Sequence, residues 1–119
     1  GKKVALECKN IRSGETYKRP PAYKLEIQKT RDSKQGLNTR NYKIDEFEVI
    51  AACLFNHSGK WEYLFSATKH LQLRQGYSNL LKVMQPVPFH PSGYWTADLV
   101  VVLESVVTDT PPPPKNLLF

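Results

Sequence analysis

Hydrophobic and polar residues alternate over residues 4–10, close to the start of the chain. Leu6 and Cys8 fall on one side of an extended segment, and Glu7 and Lys9 fall on the other, because side chains alternate along a β-strand. This pattern predicts a strand whose apolar side faces the core and whose polar side presents a carboxylate beside an ammonium group. The pair is a candidate metal and phosphate site, and an ordinary solvated strand face is the alternative.

A second alternating segment, residues 22–30, predicts another strand, which follows a basic loop at residues 11–21. If the two strands are neighbours, Gln28 can face the same cleft as Glu7 and Lys9. Its side-chain amide would then orient a metal-bound water or a phosphate oxygen. An outward-facing polar strand surface accounts for the same alternation, and both interpretations stay open.

The most hydrophobic segment, residues 47–55, contains apolar side chains almost without interruption. A strand of this composition is covered on both faces, so we expect it to be central in the sheet. The Gly-containing connection at residues 56–60 predicts a hairpin, and residues 61–65 predict the return strand.

Helices are predicted in the second half of the chain. Ser66 can cap a short helix over residues 67–73, and apolar residues recur at helical spacing over residues 95–107. Residues 77–83 fit either a helix or a strand, and residues 85–93 predict a rigid, Pro-rich connection. Together the elements predict an α/β fold in which helices flank a mixed central β-sheet.

Length and composition fit one domain over residues 1–108, followed by a Pro-rich extended tail at residues 109–119. The sequence has 119 residues, of which 40% are hydrophobic and 24% are charged. No apolar run approaches the ~20 residues that a membrane span requires, so no membrane partner is expected. Cys8 and Cys53 both lie in apolar segments, which predicts buried, reduced thiols and a cytoplasmic location.

The chain is basic, with a formal net charge of +6 and a pI near 9.4. The first 43 residues hold 12 Lys or Arg against 4 Asp or Glu, whereas the remainder holds 5 against 7. A polyanion such as DNA is the expected partner of this basic region, and a merely soluble surface is the alternative. The candidate nucleic-acid contacts are Arg12, Lys18, Arg19, Lys29, Arg31, Lys34 and Arg40.

Three segments together resemble the PD-(D/E)xK nuclease superfamily, which includes restriction endonucleases and Holliday-junction resolvases. They are Val-Ala-Leu-Glu-Cys-Lys-Asn at residues 4–10, Leu-Glu-Ile-Gln-Lys-Thr-Arg at residues 25–31, and the apolar strand that follows. The part from residue 42 through the strand of Trp61 is similar to bacterial restriction-endonuclease-like proteins. The resemblance covers roughly the first two thirds of the chain and implies a restriction-endonuclease-like core.

The resemblance also implies hydrolysis of phosphodiester bonds in DNA with Mg²⁺ or Mn²⁺ as the cofactor. Glu7 would bind the metal ion, and Lys9 would position the attacking water and neutralise developing charge. Gln28 matches a glutamine on the next strand in several branches of the superfamily. These three residues form the implied catalytic set.

One part of the family pattern has no counterpart in this sequence. The superfamily places an Asp on the strand before the Glu-x-Lys strand, whereas none of the six residues before Glu7 is acidic. We therefore expect the chain to be the C-terminal part of a larger nuclease domain, without its first strand and helix. The alternatives are that the missing ligand comes from elsewhere, with a homodimer as one candidate assembly, or that the site is inactive. A non-catalytic nucleic-acid-binding module of the same fold is the alternative function.

Overall fold

The computed structural model describes residues 3–29 and 40–108, which form a mixed α/β fold around a five-stranded sheet. The elements in chain order are β1 (Leu6–Lys18), β2 (Pro21–Glu26), β3 (Val49–Cys53), α1 (Phe55–Ser58), β4 (Tyr63–Ala67), β5 (Met84–Val87) and α2 (Leu99–Thr108). The predicted α/β class with a mixed sheet is confirmed.

The strands lie in the order β4-β3-β1-β2-β5, so β1 occupies the middle of the sheet. Residues 6–10 of β1 pair with β3 in parallel, whereas Ile11 and residues 16–18 pair with β2 in antiparallel. The predicted loop at residues 11–21 is therefore wrong over most of its length, because the strand continues. The pairing with β2 is irregular around Gly14, whose φ of 73° favours glycine.

The main core lies on one face of the sheet, where buried side chains from several strands meet. Leu25 of β2 and Ile50 of β3 are fully buried, and they cluster with Leu64 of β4 and Val87 of β5. Full burial of such a side chain contributes about 1.5–3 kcal/mol. The apolar side chains that alternate along residues 22–30 therefore contribute to this core, as the sequence predicts.

Strand β3 is covered on both of its faces. Val102 of α2 packs against Val49 on the face opposite the main core, and all five residues of β3 are buried. The prediction of a doubly covered strand over residues 47–55 is confirmed at Val49–Cys53, although β1 takes the middle position of the sheet. The predicted burial of Cys53 is confirmed as well.

The two faces of β1 are the reverse of those predicted. Glu7 pairs with Ile50, a residue of the main core, so Glu7 and Lys9 project from the main-core face. Leu6 and Cys8 project from the opposite face, where Leu6 is 43% exposed and Cys8 is exposed. The predicted apolar core face and the predicted burial of Cys8 are therefore wrong. Alternation shows which residues share a face, but it does not show which face is covered.

The connections around β4 also differ from prediction. The pairing of β3 with β4 is antiparallel, as in the predicted hairpin, but the connection contains α1. This helix ends at Ser58 and is followed by Gly59, whose φ is 72°. The predicted capped helix at residues 67–73 is wrong. Ser66 is buried in β4, where its hydroxyl donates to the carbonyl oxygen of Ala67 at 3.2 Å, and a 3-10 turn covers Thr68–His70.

The later elements combine confirmed and corrected predictions. The Pro-rich connection at residues 85–93 is wrong at its start, because Pro86 belongs to the edge strand β5, a position that tolerates proline. Residues 77–83 form neither a helix nor one of the five strands, although two of them make isolated β-bridges. The helix predicted at residues 95–107 is α2, which begins later, at Leu99.

Helix α2 is the longest helix of the described residues, with 10 residues. Among residues 3–29 and 40–108, no helix is long and apolar enough to cross a membrane. The extended tail predicted at residues 109–119 lies outside the described residues.

A partly buried histidine follows β4. His70 stacks on Tyr94 with 3.6 Å between the ring centroids. Its Nε2 atom is buried and has no hydrogen-bond partner among the described residues. Burial lowers the pKa of His70, and the charge of Lys69 lowers it further. The folded chain therefore favours the neutral imidazole.

Two leucines on neighbouring strands test the assignment of faces. We expect Leu25→Ala, which truncates a side chain that is 0% exposed, to reduce the free energy of unfolding by about 2–5 kcal/mol. Leu6→Ala truncates a side chain that is 43% exposed and should reduce it by about 1 kcal/mol or less. Urea unfolding followed by tryptophan fluorescence measures both values. Equal losses in the two variants would contradict the described faces of β1.

The free energy of unfolding should also depend on pH through His70. It is expected to fall as pH decreases from about 6.5, the ordinary histidine pKa, to the lowered pKa in the folded state, because the unfolded chain binds the proton first. The variant His70→Phe keeps an aromatic ring against Tyr94 and should show a smaller fall. Urea unfolding at about pH 7.5 and about pH 5.5 makes the comparison. An identical fall in both proteins would exclude His70 as its source.

Candidate active site

Glu7 and Lys9 project side by side from β1 at the margin of the main core. Lys9 Nζ lies 3.5 Å from Glu7 Oε1, and the two side chains are 22% and 33% exposed, respectively. Residues two positions apart on a strand share a face and are separated by ~7 Å, a distance that a lysine side chain can span. The structure therefore brings the first two predicted site residues together in a partly buried ion pair.

The Lys9 ammonium group also contacts the segment that follows β2. Lys9 Nζ donates to the backbone carbonyl oxygen of Gln28 at 3.4 Å and lies 5.7 Å from the centroid of the Tyr42 ring. A cation over an aromatic face contributes about 0.5–1 kcal/mol at exposed sites and more when it is desolvated. Together with Glu7, these contacts fix the direction of the ammonium group.

Gln28 reaches this site through its backbone, whereas its side chain is held elsewhere. Gln28 Nε2 donates to Glu26 Oε2 at 2.6 Å, and Glu26 Oε1 lies 3.4 Å from Arg12 Nη1. Glu26 follows the buried Leu25 on β2, so it projects from the face opposite the main core. The amide of Gln28 therefore takes part in a polar chain with Glu26 and Arg12, and its carbonyl oxygen serves the Lys9 site.

Tyr42 belongs to the site, although sequence reasoning does not identify it. Its hydroxyl donates to Glu7 Oε1 at 3.2 Å, and its ring packs edge-on against Phe47 with 5.1 Å between centroids. Burial raises the pKa of Tyr42, and the charge of Glu7 raises it further. Tyr42 and Glu7 are 35 positions apart, so no local motif marks the tyrosine and only the folded sheet brings the two together.

A second ammonium group approaches the same tyrosine ring. Lys29 Nζ lies 6.0 Å from the centroid of the Tyr42 ring and 2.8 Å from Glu46 Oε1. Two lysines therefore lie close to the phenol that donates to Glu7. Each of the two lysines is paired with a carboxylate, Lys9 with Glu7 and Lys29 with Glu46.

Arg12, one of the predicted nucleic-acid contacts, lies between two carboxylates. Its guanidinium group lies 3.1 Å from a carboxylate oxygen of Glu15 and 3.4 Å from one of Glu26. Its side chain is 41% exposed, and exposed ion pairs contribute only about 0–1 kcal/mol. Arg12 can therefore exchange a carboxylate for a phosphate at small cost.

The other predicted nucleic-acid contacts fall into two groups. Lys18 and Arg19 are exposed where the chain turns from β1 to β2, and Arg40 is exposed at the start of the second described segment. Arg31 and Lys34 lie outside the described residues. Lys18 and Arg19 are therefore accessible to an anionic ligand at the turn between β1 and β2.

The cleft predicted around Glu7 and Lys9 is not among the four best-defined cavities of the described residues. Neither Glu7 nor Lys9 lines any of these four. The pair lies instead at the margin of the main core, partly open to solvent. A ligand would approach it from the surface.

The described residues fit a metal ion only in part. Mg²⁺ prefers oxygen ligands, commonly one or two carboxylates completed by waters and substrate phosphates, and Glu7 is suited to supply one of them. Among residues 3–29 and 40–108, no group of three or more His, Cys, Asp or Glu side chains is arranged to hold a metal ion. A complete site would need oxygen atoms from the substrate or from outside the described residues.

The contact between Tyr42 and Glu7 predicts a shift in the titration of the phenol. We expect Glu7→Gln to lower the pKa of Tyr42 but to leave it above the ordinary value of 10.0, because the neighbouring charge is lost and the burial remains. A pH titration of the tyrosine ring carbons by NMR measures the shift, with Tyr42→Phe to assign the signal. Glu104→Gln, an exposed change on α2, is the matched control. An unchanged titration in Glu7→Gln would contradict the contact.

Comparison with known proteins does not assign the chain to a family, since no protein-family model, no curated protein and no solved structure matches it. The resemblance to PD-(D/E)xK nucleases is thus neither supported nor contradicted by a relative. The function has to be inferred from the residues of the site and their geometry.

Proposed function

We propose that this chain belongs to a Mg²⁺- or Mn²⁺-dependent endonuclease of the PD-(D/E)xK type, which hydrolyses phosphodiester bonds in DNA. The observation that carries the proposal is the partly buried pair of Glu7 and Lys9 on the middle strand. Taking charges out of water is costly, and their mutual attraction seldom recovers the loss. Ile11, on the same face of β1, is 1% exposed, which shows that an apolar side chain packs well on this face. A catalytic role therefore explains the charged pair better than a contribution to the stability of the fold does.

Lys9 is suited to neutralise charge on a phosphate group. Its ammonium group has three N–H donors. It contacts Glu7 and the Gln28 carbonyl oxygen and also interacts with the Tyr42 hydroxyl. A phosphate oxygen or an attacking water would replace one of these contacts. Because the ammonium group is already oriented, little reorganisation is needed when charge develops in the transition state.

Glu7 is suited to be a ligand of the metal ion. Its described contacts with Lys9 and Tyr42 both use Oε1, so Oε2 is directed to no described partner. A divalent ion bound there would supply charge that stabilises the phosphate and would lower the pKa of a bound water. The remaining oxygen ligands are proposed to come from the substrate, from residues outside those described, or from a second copy of the chain.

A restriction-endonuclease-like core is part of the same proposal. Its support is the mixed sheet in which the Glu-x-Lys strand lies in the middle, with α2 packed on the face opposite Glu7 and Lys9. The net charge of +6 supports DNA as the partner.

A non-catalytic nucleic-acid-binding module is the second candidate, and one observation favours it. The described residues do not provide three clustered metal ligands. A site with Lys9 and Lys29 around one phenol could still hold a phosphate without cleaving it. The two candidates therefore share their ligand and differ in the reaction.

Nicking of supercoiled plasmid DNA by the full-length protein tests the proposal. In Mg²⁺ or Mn²⁺, Glu7→Gln and Lys9→Gln should each reduce the nicking rate by about 100-fold or more, because each change removes a group that stabilises the transition state. Glu104→Gln and Lys60→Gln make the same chemical changes at exposed positions and should leave the rate unchanged.

The outcomes separate the two candidate functions. Thermal unfolding of each variant shows whether the fold is retained. Full nicking activity in folded Glu7→Gln and Lys9→Gln proteins would reject the site. DNA binding by the wild type without nicking in either metal would favour the non-catalytic module.

A further inference from the structure

Two segments of the chain carry basic residues and no acid. Residues 16–25 and residues 63–97 contain no Asp or Glu, and each segment contains three Lys or Arg. Protein surfaces normally mix both signs of charge. Two acid-free segments of this kind indicate a surface suited to a negatively charged ligand, provided that the fold places them together.

The sheet places the two segments side by side. Strand β5 pairs with β2 in antiparallel, with Tyr23 opposite Val87 and Lys24 opposite Pro86. This register places the turn that carries the exposed Arg19 beside the end of β5. Arg19 nevertheless lines one cavity together with Lys82, which precedes β5, so cations of both segments lie on one surface.

Two adjoining cavities lie where the segments meet. The smaller cavity, of about 230 Å³, is lined by Arg19 and Tyr17 together with Gln72 and Lys82. The larger cavity, of about 590 Å³, is lined by Arg74 and again by Gln72 and Lys82. Because two residues line both cavities, we treat them as one feature, the basic groove. No described residue that lines the basic groove is an Asp or a Glu.

Aromatic rings accompany the cations of the basic groove. The Arg74 guanidinium group lies 4.8 Å from the ring centroid of Tyr77, which is 47% exposed. Near the other cavity, Lys24 Nζ lies 5.2 Å from the ring centroid of Tyr17. Cations interleaved with aromatic rings suit a ligand that presents both phosphates and flat bases or sugars.

The basic groove begins next to the candidate active site. Arg74 Nη1 donates to Asn41 Oδ1 at 3.1 Å, and Asn41 lines the larger cavity. The next residue, Tyr42, donates to Glu7 Oε1. If one phosphate of a DNA strand lies at Glu7 and Lys9, the following phosphates can therefore continue past Asn41 along the groove.

We infer that the basic groove binds the sugar–phosphate backbone of DNA beside the bond that is cleaved. Arg19, Arg74 and Lys82 contact successive phosphates, and the exposed ring of Tyr77 packs against a sugar or a base. The inference rests on the proposed function for the identity of the ligand, and it adds the path that the ligand follows. Two of its cations, Arg74 and Lys82, are absent from the contacts predicted from sequence.

Equilibrium binding in EDTA tests the groove without any cleavage. For a fluorescent DNA duplex at about 100 mM salt, Arg74→Gln combined with Lys82→Gln should weaken binding roughly 25- to 100-fold, five- to tenfold for each lost phosphate contact. The slope of log affinity against log salt between about 50 and 200 mM should fall in magnitude by about 1.8. The matched control combines Lys3→Gln with Lys60→Gln, which removes the same charge at exposed positions outside the groove.

Single variants keep the test independent of folding. The described hydrogen bonds of Lys82 use its backbone alone, so Lys82→Gln should retain the thermal stability of the wild type and still weaken binding five- to tenfold. Equal affinities of the groove variant and the control, or no DNA binding by the wild type at about 50 mM salt, would overturn the inference. Binding that depends on the groove, in a protein that nicks no DNA, would retain the groove and reject the nuclease.

Discussion

The contacts of the Lys9 ammonium group determine how the candidate site is assembled. Three parts of the chain meet there: the carboxylate of Glu7, the carbonyl of Gln28 and the ring of Tyr42. This meeting depends on the change of partner along β1, which pairs in parallel with β3 and then in antiparallel with β2. The antiparallel return brings Gln28 back beside Lys9, and the order of strands leaves the ion pair in the middle of the sheet.

Sequence patterns predicted the elements whose environment is set by their own residues. The alternation of β2 and the continuous apolarity of β3 both correspond to buried side chains, and the helical spacing of Val102 and Val106 corresponds to the packed face of α2. The orientation of β1 could not be predicted in this way. It depends on which side of the strand the other elements cover, and that is a property of the whole sheet.

The same distinction applies to the candidate site. The two-residue spacing of Glu7 and Lys9 is local, so their proximity follows from a strand. Tyr42 comes to Glu7 only through long-range pairing, and Gln28 uses its carbonyl because Glu26 holds its amide. Net charge over long stretches does not identify the groove cations, because the acids of the second half offset them. The acids of the second half lie before residue 63 or after residue 97, and this separation is the sequence signal that could have revealed the basic groove.

The exposed thiol on β1 provides a natural attachment point for a probe. The sequence contains two cysteines, of which Cys53 is buried and Cys8 is exposed. Cys8 projects from the opposite side of the strand to Glu7 and Lys9, so a fluorophore or spin label there would report on β1 without entering the site. Partial burial raises the pKa of the Cys8 thiol, and Cys53 raises it further. Labelling therefore proceeds faster in mildly alkaline buffer, where more thiolate is present.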